Sequence, residues 1–107
     1  RDEIASLLPV TETINNWTFL INYAHVLVCL ADNPDARLRD VADKVGITER
    51  AVQRIVHDLE QADMLTRERE GRRNHYRINA SQALRHPLEQ PHTVGELIEA
   101  VSGRSLD

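Results

Sequence analysis

The stretch Leu38–His57, LRDVADKVGITERAVQRIVH, decides how this chain folds. It reads as two short helices joined by a tight turn. Ala42 is a small residue where two helices must touch, and it sits between Val41 and Val45, which face inward. Gly46 follows at the point where the first helix has to stop, because glycine takes the left-handed conformation at no steric cost. Ile47 fills the gap between the helices, and Thr48 offers a hydroxyl to cap the second helix. In that helix Val52, Ile55, Val56 and Leu59 recur at i, i+3, i+4 and i+7, the spacing of one buried stripe.

The other face of the second helix carries Glu49, Arg50, Gln53, Arg54 and His57. All but Glu49 can donate hydrogen bonds to base edges or phosphates, and Arg and Gln pair bidentately with guanine and adenine in the major groove. The segment is therefore read as a DNA-binding helix-turn-helix with residues 48–62 as its recognition helix. Taken alone, an ordinary helical hairpin with a solvated polar face has the same pattern.

The segment after the motif shifts that balance. Residues 65–79, LTREREGRRNHYRIN, alternate as a β-hairpin, with Gly71-Arg72-Arg73-Asn74 as the expected turn. Arg67, Arg69, Arg72, Arg73 and Arg77 outnumber Glu68 and Glu70 in it. Two arginines at its tip suit a narrow minor groove, whose negative potential attracts them. A solvated polar hairpin is the plainer alternative.

The chain of 107 residues has a net charge of −4, which argues against a general polyanion binder. The total hides an asymmetry: ten of the 13 basic residues fall within residues 37–77. A local positive face suffices for DNA, since charge more than about 10 Å away is screened. With one cysteine, Cys29, no intrachain disulfide forms, as expected in a reducing cytoplasm. No secretory signal or membrane-spanning run is visible, so no membrane partner is expected.

Upstream, residues 1–14 are expected to be a loosely ordered arm carrying Ile4, Leu7, Leu8 and Val10. A first helix is expected over residues 15–32. Trp17, Leu20, Ile21, Ala24, Leu27, Val28 and Ala31 form one apolar face, and Phe19, Tyr23, Val26 and Leu30 form a second. A helix apolar on two sides must be covered twice. Asp32-Asn33-Pro34-Asp35 ends it, and Arg37-Leu38-Arg39 is expected as a very short strand. Downstream, residues 80–90 connect to a last helix over 94–102. Thr93-Val94-Gly95-Glu96 is its capping box, Gly103 its stop, and Val94, Leu97, Ile98 and Val101 its apolar stripe. Such a short helix needs a groove. The surplus face of helix one is expected to pack against the terminal segments, a second subunit or both; this helix and the last, from the same or opposite subunits, are expected to make the dimer interface, through Phe19, Tyr23, Val26, Leu30, Val94, Leu97, Ile98 and Val101.

No catalytic constellation is present, and neither enzymatic activity nor a cofactor is expected. His25 and Cys29 share a helix face at i and i+4, and His86 and His92 lie near the C-terminus. A metal site wants three or four ligands, so no metal is expected at either pair.

Helix, helix-turn-helix and basic hairpin in this order resemble the winged helix-turn-helix transcriptional regulators of bacteria and archaea, MarR-type and ArsR-type repressors in particular. VADKVGITERAVQRIVHDLEQADML and TREREGRRNHYRI carry the resemblance, which covers residues 17–79. It implies a mainly α fold with a small β-hairpin wing, a three-helix core plus a C-terminal helix. It divides the chain into an arm (1–14), a DNA-binding domain (15–80), and a linker with a dimerisation helix (81–107). It places Thr48, Glu49, Arg50, Gln53, Arg54 and His57 at the major groove, and Arg67, Arg69, Arg72, Arg73, His75 and Arg77 in the wing. The expected partners are double-stranded DNA and a second copy of the chain, a homodimeric repressor on a palindromic operator. A small-molecule effector between helix one and the partner is compatible with this, though no residue marks its site. Arg37 stands where these families often cap the motif's first helix with Ser or Thr. Glu49 is the one group on the reading face that phosphate repels, so it reads a cytosine or is held by Arg50 or Arg54. The alternative function is a winged-helix module that binds protein through the same surface.

Overall fold

A computed structural model describes residues 18–103. Helix α1 (Asn22–Asp32) leads into α2 (Leu38–Val45) and α3 (Glu49–Gln61). Strands β1 (Leu65–Glu70) and β2 (Arg73–Ile78) form an antiparallel hairpin, and α4 (Val94–Ser102) closes the described chain. This is the winged-helix arrangement: helices around one core, with the hairpin projecting from the end of α3. The expected N-terminal arm lies outside the described residues. Among them, no helix is long and apolar enough to cross a membrane.

The core follows the periodicity of the sequence. Val52, Ile55, Val56 and Leu59 of α3 are all buried, against Val41 and Ala42 of α2 and Val26, Leu27 and Leu30 of α1. Gly46 ends α2 at φ +89°, and both its own amide and that of Ile47 donate to the Ala42 carbonyl, at 2.8 and 3.1 Å. That left-handed residue turns the chain sharply enough for α3 to cross α2. Asp63 performs the same turn after α3 at φ +61°, and the Met64 amide donates back to Leu59 at 3.0 Å.

Four expectations are corrected. Helix α1 begins at Asn22, seven residues later than position 15. Residues 18–21 are not helical, and the Thr18 hydroxyl donates to the Leu20 carbonyl, a local bond that competes with helix formation. The expected strand at Arg37-Leu38-Arg39 is absent: Arg37 precedes α2, and Leu38 and Arg39 are its first turn. The outer edge of β2 bonds instead to the α1–α2 loop, with the Tyr76 amide donating to the Pro34 carbonyl at 2.8 Å. The hairpin turn is only Gly71-Arg72, since Arg73 pairs with Glu70 and Asn74 with Arg69. Gly71 alone takes positive φ, at +64°, the requirement of a two-residue turn with glycine at its first central position.

The fourth correction concerns the interface. Val26, Leu30, Val94 and Ile98 have no exposed surface and belong to the protomer's own core, so they cannot meet a partner. Helix α4 covers α1 within the same chain. It is held there by close backbone contact: the Gly95 amide donates to the Ala80 carbonyl at 2.9 Å, and the Val94 amide to Gln82 at 2.8 Å. Sequence periodicity showed that α1 needs two covers and left open whether the terminal segments or a second subunit supply the second; the terminal helix of the same chain does. Thr93 and Glu96 form the expected capping box, and Gly103 ends the helix at φ +74°.

The Gly95–Ala80 contact leaves no room for a side chain. A Cβ at Gly95 would lie 2.8 Å from the Ala80 Cβ and 2.9 Å from its carbonyl oxygen. Gly95→Ala is expected to destabilise the fold by about 1–3 kcal/mol, by forcing α4 off the strand exit. Urea unfolding measures this.

Candidate nucleic-acid interface

Helix α3 presents one face to the core and the other to solvent. Thr48 caps it, its hydroxyl accepting from the Ala51 amide at 3.0 Å. Because the apolar stripe is fixed inward, Glu49, Arg50, Gln53, Arg54 and His57 all project outward and are exposed. Glu49 occupies the first helical turn, where a carboxylate is favoured by the helix dipole. Among the described residues it makes no ion pair with Arg50 or Arg54, contrary to one of the two expectations for it. It lines a groove shared with Arg37, Arg72 and Arg73. As the sequence implied, the Arg37 side chain makes no capping bond on α2.

The wing arginines are mostly engaged. Arg67 bridges to Glu60 of α3 at 3.1 Å, and Arg77 to Glu68 across the hairpin at 3.1 Å. Arg69 donates through Nε to the Gly71 carbonyl at 3.1 Å, and Arg73 to the Asp35 carbonyl at 3.4 Å. Arg72, at the tip, has no such partner among the described residues. These pairs are exposed or half-exposed, and exposed ion pairs contribute little stability, so phosphate can compete for the guanidinium groups. His75 is held midway along β2, its Nδ1 2.8 Å from Asp35 Oδ1. That hydrogen bond is the main reason its pKa is raised above the ordinary histidine value; Glu70 and Glu68 add to it.

The angle between α3 and the wing is set by Asn79, a residue that sequence reasoning did not single out. Its backbone amide donates to the Met64 carbonyl at 3.0 Å, its side-chain Nδ2 to the Asp63 carbonyl at 2.7 Å, and its Oδ1 accepts from Thr66 at 3.3 Å. One side chain thus ties the end of α3 to the base of both strands. No local pattern signals this, because the partners meet only after folding. On the far side of α3, Tyr23 of α1 donates to Asp58 at 2.5 Å. This bond, then burial, pushes the tyrosine pKa up, so it stays protonated and keeps donating.

A groove of about 490 Å³ opens beside that bond, lined largely by apolar side chains including Phe19, Ile21, Leu27 and Leu97. Phe19, Ile21 and Val101 are well exposed, whereas Tyr23 and Leu97 are half-buried. Of the expected interface residues, Phe19, Tyr23, Leu97 and Val101 thus remain at the surface. The two pairs weighed as metal ligands gain no third ligand among the described residues. His25 bonds to Asn22, and burial pushes the Cys29 thiol pKa up, which disfavours the thiolate a metal needs.

Asn79→Ala removes two side-chain bonds and is expected to cost about 1–3 kcal/mol. The loss should concentrate at the wing, as faster amide exchange in β1 and β2 with α2 unchanged. Hydrogen–deuterium exchange checks this.

Comparison with known proteins agrees with this geometry. The MarR family model matches residues 21–72, from the start of α1 to the wing tip. No curated protein and no solved structure matches the chain. A helix-turn-helix with an outward basic face, a two-stranded wing beside it and this family match lead to one conclusion: over residues 21–72 the chain is a winged helix similar to the MarR family.

Proposed function

We propose that the chain is a homodimeric, sequence-specific transcriptional repressor of the cytoplasm, acting on a roughly palindromic operator. The observation that carries this reading is the exposed row Arg50, Gln53, Arg54 and His57 on α3, beside Arg72 at the wing tip. In this reading α3 enters the major groove and its amide and guanidinium groups read base edges. The wing follows the backbone, with Arg72 in or near the minor groove. Thr48 and Glu49 sit at the groove end of α3, where Glu49 suits a cytosine amino group. Arg67, Arg69, Arg73, His75 and Arg77 reach phosphate by exchanging internal partners.

The second copy is assigned to the exposed apolar surface around Phe19, Tyr23, Leu97 and Val101. Two-fold pairing would set two recognition helices about one DNA turn apart. A small-molecule effector fits the neighbouring groove. The Tyr23–Asp58 bond would transmit its arrival to α3, since Asp58 lies on the recognition helix.

Two kinds of variant separate base reading from phosphate binding. Gln53→Ala or Arg54→Ala should weaken operator binding about 10- to 100-fold and relax base choice. Arg72→Ala should weaken all duplexes alike and lower the slope of log affinity against log salt by about one. Fluorescence anisotropy across a salt series measures both. Failure to bind any duplex, at low salt as well as high, would favour a protein-binding module instead. Phe19→Asp combined with Val101→Asp should convert a dimer to a monomer in light scattering, without loss of helical content.

A further inference from the structure

We propose that residues 10–17 dock in the apolar groove of their own chain, with Val10, Ile14 and Trp17 against its floor. The groove runs between the first two turns of α1, the end of α3 and the start of α4. Leu27, Leu59, Met64 and Val94 line its floor and are buried, and its volume is about 490 Å³. At its mouth stand Phe19 and Ile21, 93% and 69% exposed. An apolar floor with apolar lips is a surface that water solvates poorly and an apolar segment covers well.

The place where the preceding chain ends singles out the occupant. Residues 1–17 come before the described chain, and Trp17 is two residues from Phe19 at the groove mouth. A segment tethered this closely meets the groove at an effective concentration that a free ligand or a second copy does not reach.

The segment also has the complementary face. Val10, Ile14 and Trp17 recur at i, i+4 and i+7, the spacing of one helical stripe. Pro9 stands at its head, where proline is favoured. Eight helical residues are about 12 Å long, close to the two turns of α1 that wall the groove. Residues 18–21 are not helical and supply the bend: the Thr18 hydroxyl donates to the Leu20 carbonyl, and Ile21 is extended. So short a connection is ordinary between antiparallel helices. Ala24, small and half-buried, lies on the α1 wall and lets a second helix approach closely.

The docked segment fills the groove, so a small molecule that enters there displaces Trp17. It also stands over Tyr23, whose hydroxyl donates to Asp58 of α3. Release of the segment should therefore alter DNA affinity, a consequence that rests on the DNA-binding reading above. The docking itself does not rest on it. Val101 lies outside the groove lining and stays open to a second copy.

Trp17 is the single tryptophan of the chain and reports on the segment directly. In the full chain, iodide should quench its fluorescence several-fold less than in urea. Ile14→Asp, which changes no residue of the described fold, should raise quenching to the urea level while the chain still melts cooperatively. Ala24→Gln should do the same from the groove side. In isotope-edited NMR the Trp17 indole should show contacts to the methyl groups of Ala24, Leu27 and Leu97. In a mixture of labelled and unlabelled chains these contacts should prove intramolecular. Quenching of Trp17 in the unaltered chain equal to that in urea, shielding that survives Ile14→Asp, or contacts that are only intermolecular would overturn the docking. Unchanged anisotropy-measured DNA affinity in Ile14→Asp, with Trp17 released, would overturn the coupling alone.

Discussion

The buried stripe of α3 is the constraint on which the rest depends. Val52, Ile55, Val56 and Leu59 are taken up by the core, so close packing fixes the rotation of the helix about its axis. With that rotation fixed, Arg50, Gln53, Arg54 and His57 have no direction open except outward. The exposed polar face of α3 is therefore a by-product of core packing, and it is rigid because the core is. Gly46 completes the arrangement by turning the chain within one residue, and Thr48 starts the helix where the crossing requires.

From this core the wing is placed by three kinds of bond. Tyr76 is buried among the helices, its amide reaches the α1–α2 loop, and Asn79 brackets the end of α3. Together they orient the hairpin so that its tip stands beside the N-terminal end of α3, across the groove shared by Glu49, Arg72 and Arg73. Electrostatics here is local. The chain as a whole is acidic, yet the arginines concentrate on this side, and Arg67, Arg69, Arg73 and Arg77 sit on exposed partners that they can exchange.

Much of this was legible before folding, for a physical reason: periodicity reports burial of an element on itself and its immediate neighbours. The stripe of α3, the glycine stop at Gly46, the hairpin and the α4 capping box all arise from residues within a few positions of one another. What escaped depends on encounters between distant segments. Val26, Leu30, Val94 and Ile98 are apolar whether they meet a partner or their own chain, and only the fold shows that α4 covers α1 internally. The bracket at Asn79 and the meeting of Asp35 with His75 likewise join residues separated by up to 40 positions. The start of α1 failed in a different way, since apolar residues at positions 19–21 continue a helical pattern that they do not adopt.

The central claim is that one surface, α3 with the wing tip, meets DNA. NMR titration of the isotope-labelled chain with duplex DNA tests it most directly. Shifts should concentrate on the backbone and side chains of Arg50, Gln53, Arg54 and His57 and on Gly71 and Arg72, with the α4 core unperturbed. Shifts confined to the apolar groove around Phe19 and Leu97, or none at any salt concentration, would contradict the account.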